Sequence, residues 1–74
     1  MPQEKIEAPI VGKILRIYVK PGDKVGEGDV ICDIESMKME NPILSPVSGT
    51  VEEIKVEPGQ TVKTGETIAI INYE

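Results

Sequence analysis

Residues 8–35, APIVGKILRIYVKPGDKVGEGDVICDIE, and residues 45–72, SPVSGTVEEIKVEPGQTVKTGETIAIIN, align at a constant offset of 37 with no gap. Ten of the 28 pairs are identical: Pro9/Pro46, Gly12/Gly49, Ile17/Ile54, Val19/Val56, Pro21/Pro58, Gly22/Gly59, Val25/Val62, Gly28/Gly65, Ile31/Ile68 and Ile34/Ile71. Ile10/Val47 and Ile14/Val51 are conservative. The retained positions are turn formers and β-branched core candidates, the residues that specify a backbone. Positions such as Arg16/Glu53 and Lys20/Glu57 drift. Self-similarity at a fixed period marks a repeated supersecondary unit, and this chain holds two copies.

Each copy spells the same path. Pro9 and Gly12 open it, and a strand is predicted over about 13–19. Pro21-Gly22 suits a type II turn, with Pro fixing φ at the second position and Gly supplying a positive φ at the third. A short extended piece through Val25 leads to a glycine turn at Gly26 to Gly28, then to a strand over about 29–35. Copy two repeats this with Pro58-Gly59 and Gly65. No window carries the i, i+3, i+4, i+7 spacing of an amphipathic helix. Composition agrees: eleven Ile and eight Val stand against two Leu, with no Phe or Trp. β-branched side chains lose rotamer freedom in helices and pack well on pleated surfaces. One half reads as a single layer with one apolar face. Two halves face to face predict an all-β, flattened sandwich or barrel with pseudo-twofold symmetry. The 74 residues make one domain, 1–74, its halves at about 8–35 and 45–72 joined by a hairpin over 36–44. A chain this short has a thin core.

The joining segment begins ESMKME, residues 35–40, with one lysine between two methionines and a glutamate outside each. Lys38 lies three residues past the end of copy one. Its counterpart would be position 75, and one repeat back gives Met1, so a twofold between the halves puts Lys38 and the termini at opposite ends of the molecule. Lys38 is then the tip of a hairpin joining a strand that ends near Ser36 to one over about Met39–Leu44. A two-residue hairpin favours Asn-Gly, Asp-Gly or Gly-X, and Met37-Lys38 is none of these. A local rule broken in an otherwise consistent chain points to function. Methionine is flexible, polarizable and frequent on recognised surfaces. One of the pair, Met37 or Met39, is expected to fold back onto the sandwich. An ordinary lysine amine is protonated at neutral pH, and a nucleophilic one needs burial or a cationic neighbour. A displayed lysine beside Glu35 and Glu40 reads instead as a substrate for another enzyme's modification.

Several functions are excluded. With no histidine, neither a Ser-His-Asp or Cys-His system nor a His-containing metal site can be built. The carboxylate pairs Glu35/Glu40 and Glu52/Glu53 read as solvated charge. A net charge of −5 with only two aromatic residues opposes nucleic-acid binding. No apolar run reaches the ~20 residues of a membrane-spanning helix, and the N-terminus lacks the layout of a signal peptide. The single cysteine, Cys32, excludes an internal disulfide, and a cytoplasmic location is the expectation. Cys32 aligns with Ala69 and reads as a small inward strand residue. Lys13, Arg16 and Lys20 offer a docking face for partner subunits, against which ordinary surface charge is the favoured reading. Asn41-Pro42 places its strand at an edge or bulge, since Pro cannot donate to a ladder.

ESMKM resembles the biotin-attachment motif of biotinyl domains, commonly Glu-Ala-Met-Lys-Met, with Ser36 at the Ala position. APIVGKI and SPVSGTV resemble the Pro-x-x-Gly openings of the family's two halves, and Pro58-Gly59 with Gly65 match its later turns. The resemblance covers about residues 6–72. It implies a barrel-sandwich hybrid of two four-stranded antiparallel sheets and a biotin carboxyl carrier of the thumbless type, with biotin in amide linkage to Lys38. Glu35, Met37 and Met39 would be read by a biotin protein ligase. The partners it implies are a biotin carboxylase or decarboxylase and a carboxyltransferase, with chemistry carried by the biotin ring. GKILRIYVKPGDKV runs without the thumb insertion of bacterial acetyl-CoA carboxylase carriers. That makes the chain more similar to carriers of transcarboxylases, pyruvate or acyl-CoA carboxylases and sodium-pumping decarboxylases. Two alternatives stay open. Lipoyl domains share the fold but resemble Asp-Lys-Ala at the tip, where this chain has Met37 and Met39. Unmodified hybrid-motif adaptors usually carry long helical insertions at the hairpin, which this chain lacks.

Overall fold

β-branched residues and glycine turns give an all-β chain. The computed structural model describes residues 2–73, and its strands are β1 Gln3–Glu7, β2 Gly12–Ile17, β3 Lys24–Val25, β4 Val30–Ser36, β5 Met39–Leu44, β6 Gly49–Ile54, β7 Thr61–Val62 and β8 Thr67–Asn72. They form two four-stranded antiparallel sheets, ordered β1-β8-β6-β3 and β5-β4-β2-β7. Adding 37 to one half reproduces the other: β2, β3 and β4 become β6, β7 and β8, and β1 becomes β5. Individual hydrogen bonds follow the same rule. Tyr18 N donates to Ile31 O at 2.9 Å and Lys55 N to Ile68 O at 2.8 Å; Ala8 N donates to Glu66 O at 2.9 Å and Ser45 N to Asp29 O at 2.8 Å.

The expectation that each half forms its own layer is corrected. β3 leaves copy one to pair with β6, and β7 leaves copy two to pair with β2. Each sheet thus takes its outermost short strand from the opposite half. The exchange is anchored by Gly22 N donating to Val51 O and Gly59 N to Ile14 O. The halves are interlocked, so neither can complete a sheet alone. β2 ends at Ile17, earlier than predicted, because the chain then turns at Lys20–Asp23 to cross over. β1 was not read in the sequence. It pairs with β8 and buries Ile6 opposite Ala69 in register.

The core is built from twofold pairs: Ile6/Ile43, Ile14/Val51, Val25/Val62, Ile31/Ile68, Cys32/Ala69 and Ile34/Ile71 are all buried. Strand alternation would bury only one of two neighbours, yet Ile31 and Cys32 are both inside, as are Ile68 and Ala69. A register shift beside each pair, between Val30 and Cys32 and between Ile6 and Glu7, accounts for it. Burial pushes the Cys32 thiol up to about 11, with the Asp33 charge adding to it, so the thiol is a packing group. Gly12 and Gly49 lie where strands approach closely: a Cβ at Gly12 would run into the Glu35 carbonyl, and one at Gly49 into that of Asn72.

Candidate functional site

β4 and β5 pair in register up to Ser36↔Met39, which leaves only Met37 and Lys38 to turn the chain. Both adopt positive φ, 53° at Met37 and 65° at Lys38, and no other non-glycine described residue does. Positive φ at both central positions is the type I′ turn that matches the twist of paired strands. For a residue with a Cβ it costs roughly 1–2 kcal/mol. The turn is therefore short and defined, and it projects Lys38 beyond the end of the ladder.

Nothing apolar covers the tip. Met37 is 91% exposed and Met39 66%, so the expectation that one of them folds back is overturned. A two-residue turn extends past the last core pair and leaves neither side chain anything to pack on. Glu35 and Glu40 are also exposed and face each other across the ladder. Like charges directly opposite are unfavourable, and Arg16 relieves this pair: its Nη2 donates to Glu40 Oε1 at 3.0 Å and its Nε lies 3.6 Å from Asp33 Oδ2. Tyr18 donates its hydroxyl to the same Asp33. This cluster ties β2, β4 and edge strand β5 together on the outer face. The sequence offers Arg16 as surface charge or part of a docking face; its partners lie 17 and 24 residues away and become visible once register is known. The edge position predicted for Asn41-Pro42 is observed, since β5 ends its sheet.

The twofold mate of this tip lies where Pro2 and Tyr73 meet. Tyr73 N donates to Pro2 O at 3.0 Å, in the place of the Ser36–Met39 pair. Met1, counterpart of Lys38 at the offset, lies outside the described residues. Lys13 is exposed and pairs in register with Glu35, while Lys20 sits 3.4 Å from Asp23. Among the described residues no three His, Cys, Asp or Glu side chains gather as metal ligands. No helix there is long and apolar enough to cross a membrane.

β4 and β5 hold Lys38 out on a strained two-residue turn, with its amine clear of the sheets. Residues 4–71 match the family described as Biotin-requiring enzyme, the biotin and lipoyl attachment domain. The chain belongs to that family. It is 56% identical over 39 residues to glutaconyl-CoA decarboxylase subunit gamma of Acidaminococcus fermentans, covering 53% of this chain and 27% of that one. It is 48% identical over 42 residues to the biotinylated protein TB7.3 homolog of Mycobacterium leprae, covering 57% of this chain and 59% of that one. The crystal structure of the Kluyveromyces lactis urea carboxylase superposes with a TM-score of 0.91 at 29% identity, covering 97% of this chain and 6% of that one. The chain thus matches only part of the length of each of these relatives.

Proposed function

We propose that Lys38 is the residue that carries biotin, in amide linkage through Nζ, and that residues 1–74 act as one biotinyl domain. The observation that carries this reading is the tip itself: a lysine on a two-residue turn, flanked by two uncovered methionines. A biotin protein ligase would activate biotin as its adenylate and transfer it to the Nζ amine, reading Glu35, Met37 and Met39 around it. The amide removes the lysine charge and leaves the domain one unit more negative. The attached ring carries the carboxyl group; the chain's residues hold it out and dock the domain. By the family and by relatives named for a decarboxylase and a carboxylase, the loaded domain would visit a biotin carboxylase or decarboxylase and then a carboxyltransferase, in the cytoplasm. Tethering keeps that delivery at high effective concentration.

The test is intact mass after incubation with biotin, ATP and a biotin ligase, beside Lys38→Arg and a lipoate-ligase reaction. One biotinyl group gained by the native chain, and none by Lys38→Arg, is the expected result. No gain, or a lipoyl adduct instead, overturns the reading.

A further inference from the structure

The two sheets share one backbone but not one outer face. On the Lys38-bearing sheet, Leu44 pairs in register with Val30, Pro42 with Asp33, and Tyr18 reaches Asp33 through its hydroxyl. Leu44 is 47%, Val30 36% and Tyr18 53% exposed, and Pro42 is exposed beside them. At the offset of 37, the other sheet places Glu7, Thr67, Lys5 and Lys55 at these four positions, and the pairs Glu7↔Thr67 and Lys5↔Ile70 hold the same register. Backbone and core therefore do not require apolar residues there, because one half does without them. Tyrosine is frequent at the centre of protein interfaces, and this chain spends one of its two aromatic residues on this face.

An open cleft of about 630 Å³ adjoins the stripe, lined by Tyr18, Val19, Val25 and Val30 together with Asp23, Asp29, Asp33 and Lys24. Lys20 reaches Asp23 and Arg16 reaches Asp33 from the rim. Asp29, beside Val30, accepts the Gly26 N–H at 2.7 Å through Oδ2 and has no ion-pair partner among the described residues. The cleft thus offers an apolar wall with two charges that lack an ion-pair partner among the described residues, the Asp29 carboxylate beside Val30 and the Lys24 ammonium. A second copy of this chain, at net charge −5, or an anionic membrane would bring like charge to it.

We propose that Tyr18, Val30, Pro42 and Leu44, with Asp29 at the rim, form a docking surface for a partner protein that presents an apolar side chain next to an arginine or lysine. The surface deepens the carrier reading, on which the partner's identity rests. β4 spans from Val30 to Ser36, about 20 Å at ~3.3 Å per residue. A partner can grip the stripe while the Lys38 tip stays free to enter a site.

The experiment titrates the ¹⁵N-labelled 74-residue chain with acetyl-Leu-Arg-Leu-amide and, separately, with its Leu-Glu-Leu counterpart, reading amide shifts. The first variant carries Tyr18→Lys, Val30→Thr and Leu44→Glu, the residues the other half already accommodates; Leu44→Glu alone is the second. Shifts from the arginine peptide should cluster at Tyr18, Asp29–Asp33 and Leu44. They should weaken about tenfold in the triple variant and with the glutamate peptide, about 1.4 kcal/mol of binding. Absent shifts, shifts spread over both sheets, or shifts undiminished in the variants overturn the proposal. So do shifts that grow with protein concentration alone, which would make a second copy the occupant. Biotin loading is scored in the same samples: failure of every form to load counts against the carrier reading, while the surface stands or falls on the peptide shifts.

Discussion

Among the described residues five tight turns reverse the chain, and they fall into two kinds. At four of them, Lys20–Asp23, Gly26–Asp29, Glu57–Gln60 and Lys63–Glu66, the fourth residue's N–H donates to the first carbonyl at 3.0 to 3.1 Å. The fourth side chain also accepts the first residue's N–H, through Asp23, Asp29, Gln60 or Glu66. Each of these turns has glycine at its third position, with φ between 88° and 94°. The fifth turn has no glycine and no reciprocal side chain, only Met37 and Lys38 in a conformation that favours glycine. Four turns are made by residues chosen for the backbone. The fifth holds residues the backbone does not favour, and the well-paired β4–β5 ladder forces it to follow.

The largest expected effect tests the symmetry behind that contrast. Ile34 and Ile71 are twofold mates, both fully buried. Ile34→Ala and Ile71→Ala should each destabilise by about 2–5 kcal/mol, and by similar amounts, in denaturant unfolding. A loss confined to one of them would mean that the halves fold as separate layers. Interlocking through β3 and β7 predicts one cooperative transition for both variants.

How far the sequence could be read follows from which features leave a residue signature. Pro-Gly pairs and β-branched positions do, so the repeat, the turns, the all-β class and the hairpin at Lys38 were legible. The crossing of β3 and β7 was not, because a two-residue strand has no periodicity to read. β1 was missed because only Ile6/Ile43 is identical when the alignment is carried back over Gln3–Glu7. The buried neighbours Ile31-Cys32 and Ile68-Ala69 depend on register shifts that ladder closure creates. At the tip, Lys38 and its methionines stood out by breaking turn chemistry. Their exposure depended on how tightly the turn closes, which residue type alone does not set.

The next prediction compares the two kinds of turn directly. Gly59→Ala puts a Cβ at φ 91° with nothing to compensate and should destabilise by roughly 1–2 kcal/mol. Met37→Gly moves the other way. It relieves a positive-φ side chain in the folded state and adds chain entropy to the unfolded one, so stability should change by less than about 1 kcal/mol. Biotin loading should nonetheless slow in Met37→Gly, because a side chain the ligase would read is gone. Stability that falls in both variants would make the fifth turn a backbone device like the other four.

The smallest effect separates twofold mates within the first kind. Asp23 and Gln60 close equivalent turns, but only Asp23 titrates. The Lys20 N–H bond, and then the Lys20 side chain, hold its carboxyl below the ordinary aspartate range against a smaller opposing effect of burial. A carboxyl whose folded value lies below its unfolded value stabilises the fold above the unfolded value, ~3.9 for aspartate, and loses that contribution as pH falls through the folded one. Asp23→Gln copies the mate's residue, so it should keep the turn at neutral pH and make stability fall less steeply below about pH 4. The measurement is the denaturant midpoint at pH 7, 4 and 3 for both forms. The exposed bond makes a modest contribution, and the comparison rests on the change in slope. Identical acid profiles would mean that the Asp23 turn, like that of Gln60, is held by glycine geometry and its backbone hydrogen bond alone.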